Sequence, residues 1–166
     1  MRIKVTAVFD IGRTNKKFFL FDSDFQEVYR EYIRFDEITD EDGYPTEDLG
    51  ALEKWAKAVF DRMLDSPEYD IVSLNFSCYG ASLVHIDEDG NVLTPLYNYM
   101  KSLKDDIYDA FYEKYGPEDE LSRITGSLKL GMLNTGMHLF WLKREQPEVF
   151  EKIKHSLHLP QYLSYL

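Results

Sequence analysis

A chain of 166 residues that is 44% hydrophobic and 15% aromatic can close a real core, and its formal net charge of -11 offers no basic surface for nucleic acid. The single cysteine, Cys78, excludes an intrachain disulfide and suits a reducing compartment. No apolar run is long enough to cross a bilayer, and Asp10 breaks the first apolar stretch before a secretory core develops. These features predict one soluble, cytoplasmic domain whose acidity serves solubility, with neither nucleic acid nor membrane as partner.

Ile3 to Phe9 is β-branched and apolar and predicts a buried strand ending at Asp10. Gly12-Arg13-Thr14-Asn15 has turn chemistry. Lys17 to Asp22 and Glu27 to Phe35 then predict two more strands, joined by the turn at Ser23-Asp24 into an antiparallel meander. Asp36 to Asp48 is acidic and predicts a solvated loop whose last residues, Thr46-Glu47-Asp48, can cap a helix. Leu52, Trp55, Ala56, Val59, Phe60 and Met63 carry helical spacing from Leu49 to Leu64. Tyr69 to Phe76 predicts a fourth strand. A hairpin is expected from Leu83 to Leu93, turning at Asp89-Gly90. Short helices follow at Asp105 to Tyr115 and Glu118 to Ile124, and a longer one at Met132 to Glu145. Pro147-Glu148 opens another helical turn, and Ser156 to Leu159 predicts a short strand. The last segment, Pro160 to Leu166, is an apolar helix without a cap, which suggests a truncated domain.

The run Asp10-Ile11-Gly12-Arg13-Thr14-Asn15-Lys16-Lys17 concentrates chemistry. It sets a carboxylate at a strand end, a Gly that permits close backbone approach, then a hydroxyl, an amide and cations. Phosphates could sit in such a turn, held by backbone N–H groups and the Thr14 hydroxyl, with a Lys offsetting their charge and Asp10 holding Mg²⁺ through water. It is not the Walker loop, which needs Gly-Lys-Ser/Thr before a helix. Taken alone, the same residues equally describe an ordinary polar hairpin. Cys78 sits in an apolar-to-polar run and predicts a buried structural thiol. His85, His138, His155 and His158 lack metal-site spacing.

The pattern Asp-x-Gly-x-Thr-x-x-Lys, followed by Phe21-Asp22 and a third strand, resembles the first phosphate motif of the actin, hexokinase and Hsp70 superfamily. Within it, further stretches resemble the FGGY carbohydrate kinases. Gly43 to Trp55 is similar to the family's loop into its first helix, and Phe76 to Val84 to the strand and loop that reach the sugar. Asp87 to Pro95 is similar to the hairpin after it, and Gly126 to Lys143 to the sugar-side helix. Pro147-Glu148 and Leu159 to Leu163 fit the segment that follows. The loop composition most resembles that of kinases of deoxy-ketoses, the rhamnulokinase and fuculokinase branch. Glycerol kinases carry an Arg-Glu pair where this chain has Tyr79-Gly80. Arg13 stands where the family usually has Thr or Ser, and Asn15 replaces a Ser; both can still serve phosphate.

The resemblance implies an α/β fold of the ribonuclease H-like (actin-like ATPase) kind: a mixed sheet opening with a three-strand antiparallel meander, and flanking helices. It implies that residues 1–166 are the N-terminal domain of an ATP-dependent kinase of a ketose such as a deoxy-ketose. Asp10, Gly12, Arg13, Thr14, Asn15 and Lys17 would hold ATP phosphate and Mg²⁺. Tyr79, Gly80, Ala81, Tyr99 and Met132 would face the sugar, although Tyr99 is as readily a packing residue and Met132 more readily a core one. The Asp acting as base is expected beyond Leu166, with the missing C-terminal domain, so this polypeptide alone should be inactive. Apolar surface left uncovered would favour a homodimer or aggregation. The competing reading is a non-catalytic actin-like module that binds a sugar or a protein; a weaker one is an acetate-kinase-like or sugar-sensing repressor domain.

Overall fold

The computed structural model describes residues 2–166. In chain order the elements are β1 (Ile3–Ile11), β2 (Lys16–Phe21), β3 (Glu27–Ile33), β4 (Ile38–Thr39), β5 (Pro45–Thr46), α1 (Leu49–Leu64), β6 (Tyr69–Cys78), β7 (Leu83–Ile86), α2 (Asp105–Tyr115) and α3 (Glu118–Thr125). A 3₁₀ turn (Gly131–Leu133), α4 (Thr135–Glu145), α5 (Pro147–Phe150), β8 (His155–His158) and α6 (Leu159–Tyr165) complete the series. The chain divides into two compact units. The first holds residues up to Ile38, Glu47–Tyr79 and Leu159–Leu166, and the second Thr39–Thr46 and Gly80–His158.

The first unit is built on a four-stranded mixed sheet in the order β3-β2-β1-β6, with β1 antiparallel to β2 and parallel to β6. Strand alternation decides its faces. Val5, Ala7, Phe9 and Ile11 of β1 and Phe18 and Leu20 of β2 point inward and are buried. Phe9 anchors this face, 4.7 Å from Phe18, stacked on Phe76 at 5.2 Å and edge-on to Trp55 of α1 at 5.6 Å. Helix α1 buries Leu49, Leu52, Ala56, Val59 and Met63, the stripe its spacing predicts, and Asp48 caps it by accepting from the Ala51 N–H at 2.9 Å. Helix α6 packs on β6 and buries Leu159, Tyr162 and Leu163. Strand β6 forms one edge of the sheet and leaves Val72 and Leu74 exposed.

In the second unit, Tyr97, Leu103, Ile107, Met132, Met137, Trp141 and Leu142 form one buried cluster, with Trp141 edge-on to Tyr97 at 4.9 Å. The turn expected near Gly90 forms, closed by the Asp87 N–H to the Asn91 carbonyl at 3.1 Å. The expected small hairpin forms, with Ile86 bridged to Val92 and the Leu93 N–H donating to the His85 carbonyl at 2.9 Å, but its second arm is short. The partner of β7 is β8, through Leu83–His158 to Ile86–His155. All four β7 residues are buried, and they need a neighbour with apolar cover that the short Val92-Leu93 arm cannot give. The helix expected from Met132 instead begins at Thr135. A 3₁₀ turn precedes it, and the Asn134 side chain accepts from the Leu130 N–H at 2.8 Å. Gly131 has φ +59°, and a Cβ there would lie 2.8 Å from the Tyr108 hydroxyl, so another residue would be strained and would push the tyrosine aside.

The expected solvated loop of Asp36 to Asp48 is corrected at Asp40 and Thr46, which are buried. Asp40 accepts from the N–H groups of Asp42 (3.0 Å) and Tyr44 (2.9 Å) and from the Lys101 ammonium at 2.6 Å. Burial opposes its ionisation, but Lys101 and the Tyr44 N–H prevail and hold the Asp40 carboxyl below its ordinary range.

His85 on β7 is buried, with Nδ1 2.9 Å from the Ser156 hydroxyl. Burial, reinforced by His138, pushes its pKa down to about 4. An unfolded histidine takes up its proton near pH 6.5, so the unfolded chain binds more protons between those values. The contribution of neutral His85 is therefore complete above pH 6.5 and is lost as pH falls to about 4. The loss amounts to about 3 kcal/mol. Urea midpoints measured from pH 7.5 to 4 should fall through that window, and His85→Gln should flatten the fall.

Candidate functional site

The phosphate-turn candidates all lie in the first unit. Gly12 donates its N–H to the Asn15 carbonyl at 3.0 Å, closing the turn between β1 and β2. A Cβ on Gly12 would stand 3.1 Å from that same oxygen, which explains the glycine. The β1–β2 register sets Asp10 opposite Lys17, and Lys17 Nζ lies 3.1 Å from Asp10 Oδ2. Both side chains stay 40% exposed, so the carboxylate and the ammonium remain reachable from solvent. Arg13 and Thr14 are exposed at the tip, and Arg13 pairs with Glu37 at 3.2 Å. Asn15 Oδ1 accepts from Arg34 Nε at 2.6 Å, which leaves its amide nitrogen as the group turned away from Arg34.

Three residues at this site escaped the sequence reading. Arg34 follows β3, and because Lys16 pairs with Ile33, the meander carries Arg34 back beside Asn15. A register count along the three strands would have found it. Lys16 is 2% exposed, donates to the Arg13 carbonyl at 2.8 Å and forms an ion pair with Glu47. Glu47, next to the cap of α1, also accepts the Tyr79 hydroxyl at 2.7 Å. Here the signal was present: Lys16 falls on the inward face with Phe18 and Leu20.

Tyr79 continues β6, and its N–H donates to the Ile11 carbonyl at 3.1 Å, so it is held beside the β1–β2 turn. Its hydroxyl donates to Glu47 at 2.7 Å. Cys78, next to it, has its thiol pushed up to about 12 by burial and by the charges of Asp10 and Glu47. A thiol so fully protonated at neutral pH is an inert structural group.

The remaining sugar-side candidates lie in the second unit. Gly80 is exposed, with open space where a Cβ would project. Ala81 has φ +57°, a left-handed conformation that L side chains adopt at a cost and that concentrates at functional sites. Ser82 is 1% exposed, and its hydroxyl has no hydrogen-bond partner among the described residues. Tyr99 is half-buried. Met132 is 1% exposed inside the core cluster, and its carbonyl takes the His138 imidazole. Its side chain therefore packs, the role a methionine at that point most often has.

Among the described residues, no cluster of three His, Cys, Asp or Glu is arranged to hold a metal ion. Mg²⁺ needs less from a protein, since it keeps several waters and uses one or two carboxylates together with substrate phosphates. Asp10, half-exposed beside the turn, fits that demand. No helix among the described residues is long and apolar enough to cross a membrane.

A family model described as the FGGY family of carbohydrate kinases, N-terminal domain, matches residues 5–166. A rhamnulokinase from Halalkalibacterium halodurans is 28% identical over 95 residues, which is 57% of this chain and 20% of that protein. A carbohydrate kinase from Novosphingobium aromaticivorans superposes with a TM-score of 0.83 at 24% identity, covering 99% of this chain and 33% of the other. A gluconate kinase from Lactobacillus acidophilus gives 0.81 at 21% identity, with 98% and 33% covered. Both structures show the fold, the mixed-sheet actin-like ATPase architecture that the sequence implied. The chain spans about a fifth of the curated relative and about a third of each solved structure.

Proposed function

This chain belongs to the FGGY family of carbohydrate kinases, and we propose that it supplies the phosphate-holding and sugar-facing N-terminal domain of an ATP-dependent ketose kinase. The observation that carries the proposal is the β1–β2 turn, where a reachable carboxylate, two cations and an amide surround a closed backbone loop. Asp10 would hold Mg²⁺ through water, and Lys17, Arg13, Asn15 and Thr14 would meet phosphate oxygens, with Gly12 allowing close backbone approach. When bound, Mg²⁺ supplies neutralising charge between phosphate groups. The ring of Tyr79, the backbone of Gly80 and Ala81, and Tyr99 are proposed as sugar contacts.

The chemistry is attack of a sugar hydroxyl on the γ-phosphoryl group, with an Asp taking the hydroxyl proton. Catalysis of this kind is mostly positioning and charge stabilisation, which suits a site made of backbone N–H groups and cations. The base is proposed to come from outside these 166 residues, so the chain alone binds without turning over. A deoxy-ketose of the rhamnulose or fuculose kind is the favoured substrate, supported by the loop composition around Tyr79-Gly80 and by the rhamnulokinase likeness. The test is ADP release with MgATP and a panel of ketoses and gluconate. A polypeptide carrying this domain together with the remaining kinase parts should release ADP with a ketose, and these 166 residues alone should not. Turnover by the 166 residues would refute the placement of the base. No release by the longer polypeptide with any sugar would refute the kinase reading.

A further inference from the structure

We propose that Lys16, Glu47 and Tyr79 form a buried positioning relay that couples the phosphate turn to the end of β6, where the chain enters the sugar-side loop. The inference rests on the phosphate reading of the turn given above. Packing alone gives no reason for Lys16. It occupies the inward face of β2 with Phe18 and Leu20, where an apolar side chain would be cheaper to bury. Its side chain is 3% exposed and that of its partner Glu47 is 9% exposed. Each polar end is used. The ammonium takes the Arg13 carbonyl of the turn at 2.8 Å and one Glu47 oxygen, the latter an ionic contact rather than a well-angled hydrogen bond. The other Glu47 oxygen accepts the Tyr79 hydroxyl at 2.7 Å.

Three segments far apart in sequence therefore meet at one carboxylate: the turn, the lead into α1 and the end of β6. A phosphate bound at the turn would shift the Arg13 carbonyl, and with it the ammonium, Glu47 and the Tyr79 ring. A buried pair in a low-dielectric setting has few alternative partners, so the movement is transmitted rather than absorbed by solvent. Tyr79 acts in this account as a positioning residue, its hydroxyl serving Glu47 rather than a sugar.

A double-mutant cycle on the affinity for MgATP tests the relay, using the whole 166-residue chain and calorimetry. Tyr79→Phe removes only the hydroxyl and keeps the ring. Lys16→Met combined with Glu47→Leu removes both charges and leaves none buried and unpaired. Tyr79→Phe should weaken MgATP binding about 3–10-fold in the parent, and by less than about 2-fold in the charge-free background, the non-additivity expected of coupled residues. Equal effects in both backgrounds, or no effect of Tyr79→Phe, would overturn the relay; a purely structural role would move the melting temperature without this non-additivity. Lys16→Met combined with Glu47→Gln, which keeps the shape of Glu47 and buries no charge, provides the second background if the first double variant does not fold. If the parent chain binds no MgATP, the phosphate reading fails. The relay is then judged by amide NMR signals of Arg13 and Thr14. They should shift on Tyr79→Phe in the parent and stay still in the charge-free background, and immobility in both would overturn it.

Discussion

Lys101→Met should destabilise the chain by about 3–5 kcal/mol, the cost of leaving one member of a buried ion pair alone. Lys101 is 8% exposed, and its ammonium lies 2.6 Å from Asp40 and 2.7 Å from Asp42. The Asp40 side chain has no exposed surface, so without Lys101 only the backbone N–H groups of Asp42 and Tyr44 remain to it. The same ammonium stands 5.1 Å from the ring centroids of both Tyr97 and Trp141, so the substitution also removes two cation–π contacts at the edge of the core cluster. The control is Lys104→Met. Lys104 is 78% exposed, its contact to Glu145 is 3.6 Å long, and its loss should cost less than about 1 kcal/mol. Urea unfolding of both variants checks the contrast. A loss for Lys101→Met no larger than for Lys104→Met would show that Asp40 is satisfied without it. Adding Asp40→Asn should recover part of the loss, because the uncompensated charge is then gone.

Asp10→Asn should separate chemistry from stability. The Asp10–Lys17 pair is 3.1 Å long but 40% exposed on each side, so its removal should change unfolding free energy by less than about 1 kcal/mol. If Asp10 holds Mg²⁺ as proposed, the same change in a longer polypeptide carrying this domain and the remaining kinase parts should lower turnover about 10²–10³-fold, the scale of removing one charge-stabilising group from an active site. The neighbouring exposed pair serves as reference: Glu37→Gln removes the charge paired with Arg13 without touching Asp10 and should leave turnover within about 3-fold. Equal losses for the two variants would place the metal elsewhere.

What the sequence disclosed follows from the range of each interaction. Strand β1 and helix α1 were legible because alternation and i, i+4 spacing are local, and Asp48 announces its helix from the adjacent position. The pairing of β7 with β8 was not, because the partner of Leu83 is His158, and a local turn at Gly90 offered a nearer solution. Asp40 read as one acid in a solvated run, because the lysine that neutralises it stands 61 residues away. The break at Asn134 stayed hidden, since Met132 fits the apolar period of α4 although its backbone does not. At the candidate site the turn candidates were legible because they are consecutive, whereas Lys16, Arg34 and Glu47 take their places through strand register and a buried ion pair.

The most direct test of the account is a titration of MgATP into the ¹⁵N-labelled chain. The amide signals of Gly12, Arg13, Thr14 and Asn15 should shift together and saturate, with the largest changes confined to the β1–β2 turn. If those four signals stay fixed at millimolar MgATP while the chain remains folded, the turn is an ordinary polar hairpin and does not hold phosphate.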